Sequence, residues 1–497
     1  MGSLAHVVVF LPHPPLSFGP VAPELILVGA GLLVLLLDAF VPALRHGVVV
    51  GLALAALAAA AVAGVWLWSW TGPPIVLGGM VAADHFSVFF AVVLSAVAGV
   101  AVLLSYVYLR RSDEYRAEYY ALLLLATAGM ALLAASADLI LVFISLEILS
   151  LALYLLTGFS VRRLASSEAS MKYFLLGAFS SAFFLYGVAF AYGAAGTTNI
   201  AAIAVRVSHG HTALALIAAG LLLVGFSFKV AAVPFHMWTP DAYQGAPTSV
   251  TAFMAAGTKV AAFAALLRVL TVAFHGLSVD WRPVVAVLAA VTMVVGSVLA
   301  IAQSDVKRML AYSSIANAGF ILVGVSAGTP GGTQAAMFYL VAYATLILGA
   351  FGVVILVSER GERHTALASY RGLSRRSPWL AAALALFLLS AAGIPPTAGF
   401  MAKVLVFEAA IRAGEWPLVL VAVLASVVAA FFYLRVIALM YMREADDPAP
   451  VAGSPLGWTA LAAPAALTLL FGILPGILLT VLHGTSGLLP LALGGHP

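Results

Sequence analysis

Apolar runs about as long as a bilayer is thick recur along nearly the whole chain, and no other feature limits its fold as much. The run 139–157, LILVFISLEILSLALYLLT, holds a single charged residue, Glu147. In hydrocarbon the backbone must satisfy its own polar groups, so such runs read as membrane-crossing helices. Hydrophobic residues make up 64% of the chain and charged ones 8%, with mean hydropathy +1.13. A soluble domain carries about a quarter charged residues, so the pattern predicts an all-α polytopic membrane protein.

Helices are expected near 22–42, 46–70, 84–108, 117–135, 138–158, 169–193, 212–233, 247–272, 283–303, 308–328, 334–357, 378–411, 416–441 and 456–483. That is fourteen, in one transmembrane domain covering 1–497. The seventh and the twelfth are both expected to be interrupted at bilayer depth, near Pro234 and at Gly393, Pro395 and Pro396. Residues 1–21, with Pro12, Pro14, Pro15 and Pro20, leave room for a short extra segment. No basic stretch precedes the first apolar run, so a cleaved signal peptide is not expected.

An even helix count places both termini on one side. Of the 23 Lys and Arg residues, fifteen then fall in connections on the opposite side and four (Arg206, Arg268, Arg282, Arg412) on the side of the termini. The other four, Lys229, Lys259, Lys403 and Arg435, lie within helices. Basic residues concentrate on the cytoplasmic side, so both ends are expected outside.

A lysine at bilayer depth is costly, about 3 kcal/mol on insertion scales. Lys229 and Lys259 flank the proline-broken stretch that holds Pro234, His236, Pro240, Asp241 and Pro247. Lys259 has about a dozen mostly apolar neighbours on each side, too many for its stem to reach a headgroup easily. Glu147 sits mid-helix, with Ser150 and Tyr154 at i+3 and i+7 on one face. Beside a lysine it could ionise, and Lys229 is the natural partner; alone it would serve as packing glue between helices. Lys403 follows the second break, and Glu408 points about 140° away from it on ideal geometry. His236 fits a proton relay or a loop cap equally. Arg435 is expected to snorkel, and Asp38, Asp84, Asp138 and Asp241 to be interfacial.

Buried lysines, a glutamate and a histidine on several helices are the material of a proton relay, because moving a charged partner switches a lysine's protonation. With no cysteine, the chain offers no thiolate iron–sulfur site and no thiol redox chemistry. It also lacks a phosphate-cradling glycine loop followed by Lys-Ser/Thr, and its histidines are scattered. No cofactor or metal is expected in this chain. The net charge of +4 is placed for membrane topology, so the lipid bilayer is an expected partner and nucleic acid is not.

Met171-Lys172-Tyr173-Phe174 and Met337-Phe338-Tyr339-Leu340 open the sixth and eleventh helices 166 residues apart, and the breaks at Pro234 and Pro395 are 161 apart. A shift of five helices inverts topology, as in transporters built from inverted repeats. The stretches LEILSLALYLLTGFS (146–160), KYFLLGAFSSAFFLYGVAFAYG (172–193), FKVAAVPFHMWTPDAYQGAPTSVTAFMAAGTKVAAFAALLRV (228–269) and GIPPTAGFMAKVLVF (393–407) closely resemble the N subunit of proton-pumping NADH:quinone oxidoreductase, respiratory complex I. The resemblance implies two inverted five-helix repeats, covering 117–272 and 283–441, with a C-terminal helix at 456–483. It implies that Glu147 and Lys229 act as a pair, Lys259 as the central station and Lys403 in the exit half-channel. It also implies partner subunits, membrane and peripheral, that carry the quinone, flavin and iron–sulfur clusters. The twelfth-helix lysine and the absence of a long lateral helix favour the N type over its sister subunits. The Ala- and Val-rich composition suggests a bacterial source, hence the plasma membrane. The alternative reading is a cation/proton antiporter subunit, which shares the lysine–glutamate design.

Overall fold

The computed structural model describes residues 17–41, 45–207, 213–358, 362, 364–444 and 454–485. A 3-10 turn at Gly19–Val21 leads into α1 (Ala22–Phe40), and α2 (His46–Leu67) returns. A hairpin, β1 (Ile75–Val76) and β2 (Val81–Ala82), precedes α3 (His85–Ser112). Then follow α4 (Ala117–Ala135), α5 (Leu139–Thr157) and α6 (Leu164–Ala195). The short α7 (Ile200–Val207) occupies a connection where the apolar pattern predicts none. The possible extra segment before residue 17 lies outside the described residues.

The seventh crossing is α8 (Ala213–Val230), which stops before the short α9 (Trp238–Gly245). The eighth joins α10 (Thr248–Phe253) to α11 (Lys259–Arg268) through a π-helical stretch, Met254–Thr258. Next come α12 (Ser278–Ile301), α13 (Val306–Ser326), α14 (Pro330–Val357) and the one-turn α15 (Leu373–Arg376). The twelfth crossing is broken into α16 (Pro378–Ala392) and α17 (Ala398–Arg412), and α18 (Trp416–Met442) follows. Thirteen helices are long and apolar enough to span a membrane, and the broken α16–α17 brings the crossings among the described residues to fourteen. The last apolar run, expected as one helix over 456–483, is instead α19 (Pro455–Ile473) and α20 (Pro475–His483). Pro475 cannot donate to the helical ladder, so the run restarts there.

The crossings divide into an inner and an outer set. The apolar windows of Thr248–Ala273 and of α14 are buried along their whole length and that of α13 nearly so, whereas α6, α12 and α18 expose most of theirs. An inner helix faces protein all round, so a polar side chain on it must find its partners inside the bundle.

One structural device occurs twice. Asp138 caps α5, accepts from Ile140 N and from the Thr198 hydroxyl, and its strand segment bonds to the 198–200 segment through Leu139 N to Thr198 O and Ile200 N to Ala137 O. Asp305 caps α13, accepts from Arg308 N and from the Thr365 hydroxyl, and bonds through Val306 N to Thr365 O and Leu367 N to Ser304 O. The residues making these two backbone bonds in the second clasp lie 167 positions after those in the first.

Candidate functional site

Lys229, Lys259 and Lys403 are 2%, 1% and 5% exposed, and each is held by neutral groups. At the first break the chain leaves helical geometry after Val230, and its freed groups find local partners. Ala231 N and the Trp238 indole both donate to Phe228 O, and Val233 N donates to the Thr292 hydroxyl. The opening places Lys229 at the end of α8, where Nζ donates to Ser150 Oγ at 2.7 Å and to Tyr173 OH at 3.3 Å. The Tyr154 and Tyr173 rings face the ammonium, and Tyr173 stacks on Trp238 at 4.4 Å.

Glu147 and Lys229, expected to act as a pair, are not in direct contact. The carboxylate accepts from the Ser181 hydroxyl on α6 and makes no direct bond to Lys229. Ser150, one turn further along α5, is the group that meets the ammonium. The physical reason lies in the stripe itself: Glu147 is half-buried near the outer face of α5, while Ser150 points fully inward. His236, in the break, has its Nδ1 buried without a hydrogen-bond partner in the structure.

Lys259 follows the π-helical turn directly, and its ammonium donates to the backbone oxygen of Ser314 on α13. Tyr343 of α14 lies under it, 5.3 Å from Nζ to ring centre, and its hydroxyl donates to Ser314 Oγ at 2.7 Å. A π turn carries one extra residue, which rotates everything after it. Gly257 within the turn passes so close to Met130 Sδ that a Cβ would lie 2.8 Å away.

Lys403 reaches back across the second break. Nζ donates to Ala392 O, freed by the break, at 2.9 Å and to Ser426 Oγ of α18 at 2.5 Å. It lies 4.5 Å from the Phe320 ring centre. Thus Lys229 precedes its break in the chain and Lys403 follows its own. Glu408 pairs with Arg412 rather than with Lys403.

Other charges bind the ends of the inner helices. Arg268 ends α11, is 2% exposed and grips Asp84 through both guanidinium nitrogens, at 2.7 and 3.0 Å. Burial pushes the Asp84 carboxyl up, but the Arg268 charge and bonds from Arg268 and Ser87 more than offset this and hold it below its ordinary range. At the other end, Glu362 accepts from Thr248 N and Oγ and pairs with Lys307 at 2.6 Å and Arg163 at 3.1 Å. Asp241 pairs with Lys172 and Arg308. A cavity of about 290 Å³ opens here, lined by Arg163, Glu168, Lys172, Asp241, Gln244 and Glu362, polar and roomy enough for water. Arg435 donates to Ile301 O and Gln303 O, capping the end of α12.

The region 136–429 matches the family described as NADH:quinone oxidoreductase/Mrp antiporter, TM. NADH-quinone oxidoreductase subunit N of Trichlorobacter lovleyi is 43% identical, over 93% of this chain and 95% of that protein. The chain belongs to this family. Subunit N of Acidothermus cellulolyticus is 46% identical over 94% of this chain and 95% of that one. Among solved family structures, a chain of respiratory complex I from Thermus thermophilus superposes with a TM-score of 0.80 at 38% identity, covering 93% of this chain and all of that chain. A chain of the Mrp complex from Dietzia sp. superposes at 0.81 with 26% identity, over 95% of this chain and 97% of that one. The family match ends at 429, so it spans both helix breaks and all three lysines.

Sequence reasoning did not identify Tyr173, Trp238, Ser313, Ser314, Asn317, Tyr343, Ser426 or the buried Arg268 as parts of these sites. A 167-residue shift would have pointed to two of them: it carries Glu147 onto Ser314 and Ser150 onto Asn317.

Proposed function

We propose that this chain is the proton-translocating N-type membrane subunit of an NADH:quinone oxidoreductase. Protons pass by way of Glu147, Lys229, Lys259 and Lys403, with His236 as a relay at the first break. Quinone reduction elsewhere in the complex drives the transfer, and the quinone, flavin and iron–sulfur clusters belong to partner subunits. The observation that carries the reading is that three lysines are buried in the bundle, each bonded to neutral oxygens. A lysine so placed can hold or release a proton as nearby charge moves, which an arginine cannot do.

The repeat organisation, 117–272 and 283–441, is part of this proposal. It is supported by the paired clasps at Asp138 and Asp305, which five crossings separate. An odd number of crossings sets them on opposite sides of the membrane, as inverted repeats require. The lysine and arginine distribution supports both termini outside, and the Ala- and Val-rich composition a bacterial plasma membrane.

The test is substitution of Lys259 in the assembled complex, reconstituted in proteoliposomes. Lys259→Ala should leave the subunit assembled and depress proton pumping together with coupled quinone reduction. Lys259→Arg should fail as well. Normal proton-to-electron stoichiometry in Lys259→Arg would mean that the position supplies charge alone.

The likeness to the Mrp complex chain favours a second reading, a cation/proton antiporter subunit. That reading requires exchange of Na⁺ or K⁺ for H⁺ in liposomes without redox partners.

A further inference from the structure

We propose that Asn317 is a positioning residue for proton exchange between Lys259 and Lys403, fixing the Tyr339 and Tyr433 hydroxyls where the two sites meet. This rests on the proton-translocating reading above and extends it to residues that reading does not use.

The stretch between the two lysines is built on one helix. Ser313, Ser314, Asn317 and Phe320 are spaced along α13 so that they form one stripe. Ser314 receives Lys259 through its carbonyl and Tyr343 through its hydroxyl. Phe320 lies under Lys403 and stacks with Tyr339, ring centres 6.5 Å apart. Asn317 stands between these ends. Its Nδ2 donates to Ser313 O at 2.8 Å and lies 3.5 Å from Tyr433 OH, while its Oδ1 accepts from Tyr339 OH at 2.9 Å. Tyr433 OH and Ser313 Oγ are 2.5 Å apart.

The amide orientation follows from chemistry. Ser313 O can only accept, so the nitrogen must face it and the oxygen must face Tyr339. Tyr339 is then obliged to donate to Asn317, and Tyr433 sits on the donor side. Tyr339 is thus held as a donor, while in the Ser313–Tyr433 pair either hydroxyl can donate.

The repeat explains why an amide stands here. Shifted by 167, Ser150 falls on Asn317, and Tyr173, shifted by 166, falls on Tyr339. In the first half the Lys229 ammonium lies between the Ser150 and Tyr173 hydroxyls. In the second half Asn317 and Tyr339 close directly on each other, and Lys403 has moved to the far side of its break. Glu147 falls on Ser314, so the second copy carries no carboxylate at that position.

A carboxylate here could keep a transferred proton or pin a lysine in its charged form, whereas an amide does neither. The transfer conserves charge. One proton leaves the Lys259 ammonium, water and hydroxyls each accept one proton while giving up another, and the Lys403 amine takes one. The amide itself passes no proton, so water must complete the route around it.

The test uses the intact complex in proteoliposomes. Asn317→Leu keeps the branched shape and the number of side-chain heavy atoms and removes the bonds to Ser313 O and Tyr339 OH. It should lower coupled quinone reduction about tenfold at unchanged assembly and raise its slowing in D₂O, because proton transfer becomes limiting. Tyr339→Phe should show the same D₂O effect, and the double variant should be no slower than Asn317→Leu alone. Asn317→Gln, which can restore both amide contacts, should recover part of the rate. A fully active Asn317→Leu, or a slow one with wild-type D₂O sensitivity, overturns the inference. If Lys259→Ala pumps normally, the underlying reading fails instead; if Lys259→Ala is defective and Asn317→Leu is not, this inference alone fails.

Discussion

Lys229 donates to Ser150 Oγ at 2.7 Å, while Glu147, one turn earlier on the same helix, takes its bond from Ser181. In the proposed relay the carboxylate therefore acts on the lysine's charge from a distance rather than in contact. A contact pair would hold the ammonium charged and its proton captive, whereas a charge set back by a hydroxyl biases the proton without holding it.

Glu147→Gln keeps the acceptor for Ser181 and removes the charge. Coupled quinone reduction in the assembled complex should fall about tenfold, the equivalent of ~1.4 kcal/mol at the transition state. Ser150→Ala should also slow it, because a buried hydrogen bond to a charged group contributes about 1.5–3 kcal/mol. Wild-type rates in both variants would leave Lys229 acting without either neighbour.

Gly393 and Gly414 separate backbone strain from lysine placement. Both have positive φ, +83° and +85°, so a side chain strains either one. A Cβ at Gly393 would also stand 2.8 Å from Lys403 Cδ, whereas at Gly414 nothing lies within 4 Å. Each alanine variant should destabilise the complex by about 1–3 kcal/mol, seen as earlier thermal unfolding. Gly393→Ala should in addition lose turnover, and Gly414→Ala should keep it. Equal turnover in the two variants would show that Lys403 does not depend on its close passage over Gly393.

Much of this architecture is legible in the sequence because lipid restricts it. A run such as 139–157 has only helical ways to satisfy its backbone, and Pro234 and Pro395 cannot continue the ladder they enter. Lys229, Lys259 and Lys403 stand out because charge is rare there. The partners of these lysines do not stand out. Ser314 offers Lys259 a backbone oxygen, which any residue possesses, and Trp238 and Tyr173 look like ordinary apolar packing. The π turn before Lys259 has no local signature, since Met254–Thr258 reads as plain helix. Arg268 gives no local sign of its ion pair, because its partner, Asp84, lies 184 positions away.

The Asp84–Arg268 pair makes an acid-sensitive brace. The folded-state carboxyl titrates below its ordinary value of about 3.9, so its contribution is complete above that pH. The contribution is lost as pH falls through the lower folded value. Asp84→Asn should therefore destabilise the complex at neutral pH and flatten the acid limb of a stability–pH profile below the ordinary carboxylate range. Removing one partner of a buried pair costs about 3–5 kcal/mol, because the other charge is left stranded. An unchanged acid limb would show that other carboxylates dominate it.

Glu362 offers the last and most specific prediction. It joins the start of α6 through Arg163, of α10 through Thr248 and of α13 through Lys307, so one side chain holds helices from both halves of the chain. Burial pushes its carboxyl up, but Lys307 and Arg163 draw it below the ordinary range, and it stays ionised at neutral pH. Glu362→Gln can still accept from Thr248, yet it leaves the fully buried Lys307 with Ala246 O as its remaining partner. The variant should lose about 3–5 kcal/mol of stability. Adding Lys307→Met should restore part of that loss, because the stranded charge is gone. If the double variant is less stable than Glu362→Gln alone, Lys307 stabilises the inner helices without its acidic partner, and the three-helix tie through Glu362 is not what holds them.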